Sequence, residues 1–427
     1  MKSHIAEYVS PGHPDRLADA IVESIVDLAV GRDSEALVGV ECAVHTDHVF
    51  IDGRIAAGRA AGPLGAACAV SHEEIEAIAR GVYRKAGYGG IWIHAPEKLK
   101  VIQNVCLGPL SDDERAIRSL SDDQNVVAGY ACNHPETDYL PPAHFIANYI
   151  GRKIDAWRRT VSDKSGPDFK IMVDVGYDTA VAGRPPYHAD TGRAGTPCPP
   201  QYRWNRLTLS IQHAPGVFAA EQHELVLPVV RGALSELDSR GLAGISDLPL
   251  ENFILNGMGD FIVGGPEGDN GLSGKKLAID FYGPEIPFGG GAICGKDPHK
   301  VDVAGAFRAR ELALRLLGRA RTPYPPSAAS REAGAMRGAA PQRDGAPGVC
   351  ALPGWQAVTV RLGWTPGDAA PAFREAERVD SLGMTHPIPA SALPPEDWFR
   401  IDSIVADMRL TAIIRREKVL SGYFMQS

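Results

Sequence analysis

Gly289-Gly290-Gly291-Ala292-Ile293-Cys294-Gly295-Lys296-Asp297-Pro298-His299-Lys300-Val301-Asp302 is the stretch on which the reading turns. A companion loop precedes it: Gly264-Gly265-Pro266-Glu267-Gly268-Asp269-Asn270-Gly271-Leu272-Ser273-Gly274-Lys275-Lys276. Glycines let a backbone come close to an anion, and lysines beside them neutralise it. Lys275, Lys276, Lys296 and Lys300 could together offset most of a triphosphate's charge. A P-loop is a near miss. Gly290 to Lys296 fits GxxxxGK, but Asp297 stands where the magnesium-binding Ser or Thr belongs, and in the earlier loop Asp269 stands where the first glycine belongs. The bland alternative is that the glycines only turn the chain and the lysines only face water. Two such loops flanking one strand-like run, Leu277–Phe281, weigh against it.

Working outward, His13-Pro14-Asp15-Arg16 opens a helix. Pro14 suits the first helical position, Leu17, Ile21, Ile25 and Leu28 recur at helical spacing, and Gly31 supplies a stop. A helix N-terminus attracts anions, so Asp15 with His13 and Arg16 either caps the helix or holds a metal–phosphate group. Asp302 has the same two readings at the start of a later helix, and the distant Asp15 and Asp302 would make a magnesium pair. Strands are expected at Leu37–Val44, His48–Ile55, Lys170–Val175, Arg206–Gln212, Phe261–Val263 and Val358–Leu362. Ser71-His72-Glu73-Glu74 reads as a capping box. Strand pairs alternating with single helices imply α+β layers, not a doubly wound sheet. Thr322–Gly354, rich in Pro, Ala, Gly and Arg, reads as a flexible insertion, and Ala182–Pro200 as a loop.

The 427 residues suggest two or three domains. Hydrophobic residues at 44% and charged residues at 22% exclude a mainly disordered chain. The net charge of −8 provides no basic field for nucleic acid. Met1–Gly12 lacks an apolar secretory core, and no run reaches the ~20 apolar residues of a membrane span. Single, scattered cysteines (42, 68, 106, 132, 198, 294, 350) fit a reducing cytoplasm. The expectation is a cytoplasmic protein that spans no membrane.

Taken together, the motifs resemble a family. Gly12-His13-Pro14-Asp15-Arg16 with Leu17-Ala18-Asp19 resembles the GHPDK block of S-adenosylmethionine synthetases (methionine adenosyltransferases). The two glycine loops resemble that family's GGPxGDxGLTGRK and GGGAFSGKDPxKVD blocks. Asp168-Phe169-Lys170 is similar to its DAK segment, and Val40-Glu41-Cys42 to the strand carrying an acidic residue. The resemblance implies an α+β fold of three intertwined domains with pseudo-threefold symmetry, assembled as a homodimer or a tetramer of such dimers. The expected division is a central domain of residues 1–12 plus 127–250, an N-terminal domain 13–126, and a C-terminal domain 251–427 carrying the insertion 322–354. It further implies that the methionine sulfur attacks C5′ of ATP and expels triphosphate, which is then cleaved to diphosphate and phosphate.

By the same resemblance Asp15 and Asp302 bind two Mg2+ and Glu41 binds K+. His13, Asp123, Asp168, Lys170, Phe261, Asp269, Lys275, Lys276, Ala292 and Lys296 contact ATP. Lys300 and Asp269 contact the amino acid. His13, Lys170, Lys296 and Lys300 carry the chemistry.

Several positions depart from the family pattern. Arg16 replaces its lysine and Lys275 its arginine. Asp260 replaces an arginine before Phe261, and Phe288 a histidine before the triple glycine. Leu120-Ser121-Asp122-Asp123-Gln124-Asn125 stands where the family has GAGDQG, so all three glycines are lost. Asp52-Gly53-Arg54 stands in place of GGE, whose Glu is expected to meet the methionine ammonium; the glutamine of the methionine loop has no clear counterpart around Gln103–Pro109. Three readings follow: an S-adenosylmethionine synthetase, a homologue that uses ATP with another acceptor, and a non-catalytic nucleotide-binding paralogue.

Overall fold

The structure, a computed structural model, describes residues 2–59, 68–161, 163–177, 201–318, 355–380 and 382–408. The expected insertion 322–354 lies outside these residues, as does the loop Ala182–Pro200.

Three four-stranded sheets form the frame. The first contains β2 (Leu37–His45) and β3 (His48–Arg59), joined by a hairpin that turns at Thr46 with φ +48°. To these it adds β4 (Lys100–Leu110), parallel to β3, and the short β9 (Gly271–Leu272). The second runs β1 (Ser3–Val9), β6 (Ser165–Tyr177), β7 (Tyr202–His213), β8 (Phe253–Leu255). The third runs β12 (Thr385–Pro387), β11 (Phe373–Val379), β10 (Ala357–Trp364), β5 (Asn125–Cys132).

Each sheet is backed by a pair of helices. On the first lie α1 (Pro14–Arg32) and α2 (His72–Ala86), and the short α3 (Asp112–Ala116) follows β4. On the second lie α4 (Pro142–Arg158) and α5 (Ala219–Ser239). On the third lie α7 (Val301–Leu316) and α8 (Ile401–Met408). The apolar stripe read for α1 is the buried one: Leu17, Ile21 and Ile25 are fully enclosed against Val38, Val40 and Val49. Ser71 and Glu74 form the reciprocal cap of α2. The α+β layering expected from the sequence is the architecture present.

Four local expectations are corrected. Leu277–Phe281 is no strand; Leu277–Asp280 forms one turn of helix, α6, whose buried Asp280 bonds Arg16 of α1. Phe261–Val263 lies outside any ladder. Its main chain is tied to the end of β7 by a backbone bond, His213 N–H to the Phe261 carbonyl at 2.9 Å, and by two side-chain bonds: the Phe261 amide donates to His213 Nε2 at 3.0 Å, and Gln212 Nε2 donates to the Ile262 carbonyl at 3.1 Å. Gly31 does not stop α1, which ends at Arg32 with Asp33 as its cap. Asp302 does not cap α7 either, because Lys300 occupies the cap position and Asp302 sits in the first turn.

Candidate active site

One face of α1 explains how the two glycine loops are held. Asp15, Asp19 and Glu23 recur every fourth residue, so they line one side of the helix. All three are buried, and each accepts a backbone amide: Asp15 from Leu272 at 3.0 Å, Asp19 from Gly274 at 2.7 Å, Glu23 from Gly295 at 2.9 Å. The edge of β2 repeats the same spacing from the other side. Ala43 pairs with Leu272, while Val40 donates to the Gly295 carbonyl and Gly39 bridges Lys296. Four residues of helix span about 6 Å, so the two loop anchors on α1, Asp15 and Glu23, lie about 12 Å apart. Their glycines are required by contact. A Cβ on Gly271 would lie 2.2 Å from the Pro14 carbonyl carbon, and one on Gly274 would lie 2.5 Å from Ala292 Cβ.

The loops thus bring most of the sequence candidates into two neighbouring groups. In the first, Lys276 Nζ lies 2.8 Å from Asp15 Oδ2 and Lys275 Nζ lies 3.6 Å from Asp15 Oδ1. Burial opposes ionisation of Asp15, but the Lys276 ammonium and the Leu272 amide outweigh it and hold its pKa below the ordinary value. His13 caps α1, its Nδ1 accepting the Asp15 amide at 3.2 Å. Its proton therefore sits on Nε2, which is buried, finds no acceptor, and lies 3.9 Å from Asp269 Oδ2. Burial, with Lys170 nearby, pushes the His13 pKa down to about 3, so the ring is a neutral donor at physiological pH. Asp168 Oδ2 accepts the Gly265 amide at 2.8 Å while its Oδ1 is buried without a donor. Burial pushes its pKa up to about 6. Phe261 borders this group, its ring within 3 Å of the point where a Cβ on Gly264 would stand.

In the second group Lys296 Nζ lies 2.8 Å from Asp302 Oδ2, and Lys300 is paired with Asp122. Ala292 touches Gly274 and so joins the two groups. Asp123 is exposed and caps its own turn by accepting the Gln124 amide. Glu41 stands exposed on β2, between the residues that contact the two loops.

Arg16 belongs to neither group. Its Nη1 bonds Asp19 at 3.0 Å and Asp280 at 2.5 Å beneath the loops, where it is almost wholly buried. Asp19, Asp280 and Cys294 are the one set of three metal-capable side chains within mutual reach among the described residues, and Arg16 already bonds the two carboxylates. Sequence reading missed Glu23, whose signal was the four-residue spacing, Glu114, whose signal was the capping box it forms with Ser111, and Asp122 and Asn125, which lie in the altered hexapeptide but whose distant partners nothing local announces.

This geometry meets its counterparts in known proteins. The profile of the S-adenosylmethionine synthetase N-terminal domain matches residues 2–105, and that of the C-terminal domain matches residues 263–320. An S-adenosylmethionine synthase of Hyphomonas neptunium is 32% identical over 329 residues, covering 74% of each chain. One from Maricaulis maris is 34% identical over 314 residues, covering 72% of this chain and 71% of its own. The chain belongs to the S-adenosylmethionine synthetase family. The fold agrees: a structure titled as an unusual S-adenosylmethionine synthetase from Campylobacter jejuni superposes with a TM-score of 0.68 at 20% identity, covering 100% of this chain and 95% of that one. Both matched segments include the glycine loops or the α1 face that grips them. Among the described residues no helix is long and apolar enough to cross a membrane.

Against the family pattern, Arg54 takes on a definite position. It pairs with Gly39 across β2–β3, and Gly39 in turn bridges Lys296. Directly opposed residues share a sheet face, so Arg54 and Lys296 project from the same side about 10 Å apart, two strand spacings. The Arg54 guanidinium is ion-paired with Glu114.

Proposed function

We propose that the protein is a methionine adenosyltransferase, transferring adenosyl from ATP to the sulfur of L-methionine and releasing triphosphate that is cleaved to diphosphate and phosphate. The observation that carries the reading is the charge balance of the cradle. Lys275 and Lys276 face Asp15, Lys296 faces Asp302, and Lys300 faces Asp122. Four lysines face three carboxylates, so a polyanion entering this set meets a surplus of only one positive charge unless divalent cations accompany it. Asp15 and Asp302 offer hard carboxylate oxygens, and Mg2+ commonly takes one or two of these together with phosphate oxygens and water. The residues therefore fit two Mg2+, which when bound neutralise the polyphosphate and free the lysines to grip it. Glu41 is the carboxylate we assign to K+.

The chain's own groups supply the rest. A thioether is already nucleophilic, so the barrier falls by alignment and by stabilising the leaving polyanion. His13 Nε2–H is a buried neutral donor lacking an acceptor, suited to a polyphosphate oxygen. Asp168 Oδ1 is a buried acceptor lacking a donor, suited to a hydroxyl or amino group of the nucleoside. Lys296 and Lys300 bear on the departing oxygen, and Lys170 adds positive charge near His13. Asp269 and Lys300 lie towards the amino acid, and Phe261, Ala292 and Asp123 towards the nucleotide. The open face of the first sheet exposes Phe50, Ile102 and Leu272, which suits packing against a second copy in a homodimer.

A second reading is favoured by one observation, the Arg54–Glu114 pair where the family presents a carboxylate: ATP is used with a different acceptor. Incubation with ATP, Mg2+, K+ and L-methionine, read by mass spectrometry beside a panel of acceptors, is expected to give S-adenosylmethionine, diphosphate and phosphate. ATP cleavage with adenosylation of another acceptor alone selects the second reading. Nucleotide binding with no cleavage overturns both.

A further inference from the structure

Asp302 is gripped from two sides. Lys296 Nζ reaches its Oδ2 at 2.8 Å, and Asn125 Nδ2 donates to its Oδ1 at 2.5 Å. Its Oδ1 fills the space that a side chain at position 291 would need, since a Cβ on Gly291 would stand 1.5 Å from it. Asn125 is itself fixed. It begins β5, paired with Trp364 of β10, and the turn before it is tied down by two backbone bonds, Ser121 N–H to the Asp368 carbonyl at 2.8 Å and Gly367 N–H to the Ser121 carbonyl at 2.7 Å. The same turn supplies Asp122, which holds Lys300.

We propose that Asn125 is a positioning residue: it sets the Asp302 carboxylate in one orientation before any cation arrives. The family pattern has glycine at this place, so the device belongs to this chain. The physical case is that a carboxylate held at both oxygens loses little rotational freedom on taking a cation. Partners that orient a metal-binding side chain typically change metal affinity about 10- to 100-fold when removed. The proposal rests on the reading of Asp302 as a cation ligand.

The test uses the full chain, Mn2+ as the probe, and a non-hydrolysable ATP analogue, with bound Mn2+ counted by electron paramagnetic resonance. The unsubstituted protein is expected to take two Mn2+ per chain. Asn125→Ala is expected to weaken one of them about 10- to 100-fold while circular dichroism and the KM for the acceptor stay unchanged. Asp302→Asn is expected to lose the same ion outright. Asn125→Ala titrating like the unsubstituted protein, while Asp302→Asn loses an ion, overturns the role of Asn125. Asp302→Asn retaining both ions overturns the reading on which it rests.

Discussion

Asp168→Asn separates stability from function in a way the structure quantifies. Asp168 lies in β6, buried, with one oxygen on the Gly265 amide and the other without a donor. Burial raises its pKa from 3.8 to about 6, although the Gly265 amide and Lys170 pull the other way. A carboxyl whose pKa is higher folded than unfolded costs stability once it ionises. The cost is absent below pH 4, grows as pH rises from about 4 to about 6, and is complete above that. At about 1.4 kcal/mol per tenfold change in ionisation constant, the full cost is about 3 kcal/mol. Asparagine carries no charge and still accepts the Gly265 amide through its oxygen. The variant should therefore be more stable at pH 7.5 by up to about 3 kcal/mol, a rise in Tm of about 3 °C or more for a chain of this size. The gain should shrink as pH falls from 6 towards 4. Nucleotide affinity should move oppositely, weakening about 10- to 100-fold, because a hydrogen bond to a charged acceptor contributes about 1.5–3 kcal/mol. Calorimetric scans at pH 7.5 and pH 5, beside titration with Mg2+ and an ATP analogue, measure both. A variant less stable at pH 7.5, or more stable with unchanged affinity, would refute the reasoning.

Arg16→Lys should act on stability and not on phosphate binding. The shorter lysine cannot bring its ammonium to the place where Nη1 bonds both Asp19 and Asp280, and it leaves buried carboxylates short of a partner, at a cost of about 3–5 kcal/mol; denaturant unfolding should show this while the KM for ATP in the folded enzyme is unchanged. A raised KM with unchanged stability would return Arg16 to the phosphate site. Removing divalent ions with a chelator should strongly weaken nucleotide binding measured by equilibrium dialysis, because three carboxylates already offset all but one of the four cradle lysines; ATP held at full affinity in chelator would contradict that balance.

The legible part of the fold was what local pattern controls. The α1 stripe, the β2–β3 hairpin and the Ser71–Glu74 cap each follow from spacing within one segment, and each is present. The glycine loops were legible because glycine density has few other uses. The misread segments are those where a distant partner decides. Leu277–Asp280 is apolar enough for a strand, yet Asp280 is drawn to Arg16, and one helical turn delivers it there. Phe261–Val263 has strand-like residues, but after one backbone bond to His213 the side chains of His213 and Gln212 take the Phe261 amide and the Ile262 carbonyl, and no ladder continues. Placement of the site residues was less legible still. Asp15 reaches Leu272 and Asn125 reaches Asp302 across long chain separations, and nothing within either segment announces its partner.

The position of Arg54 bears on which acceptor the site takes. Alone, a guanidinium there would repel the ammonium of an amino acid and attract a carboxylate or phosphate. Paired with Glu114 it presents a locally neutral couple with one carboxylate still close by, and both groups are open to solvent screening. An ammonium can thus approach on the Glu114 side, with Asp52 and Glu41 in the next row of the same sheet face. On the proposed reading, Asp52 and Glu41 supply the negative charge that the family places at one position, and the zwitterionic head of methionine would be met there without the family's own glutamate.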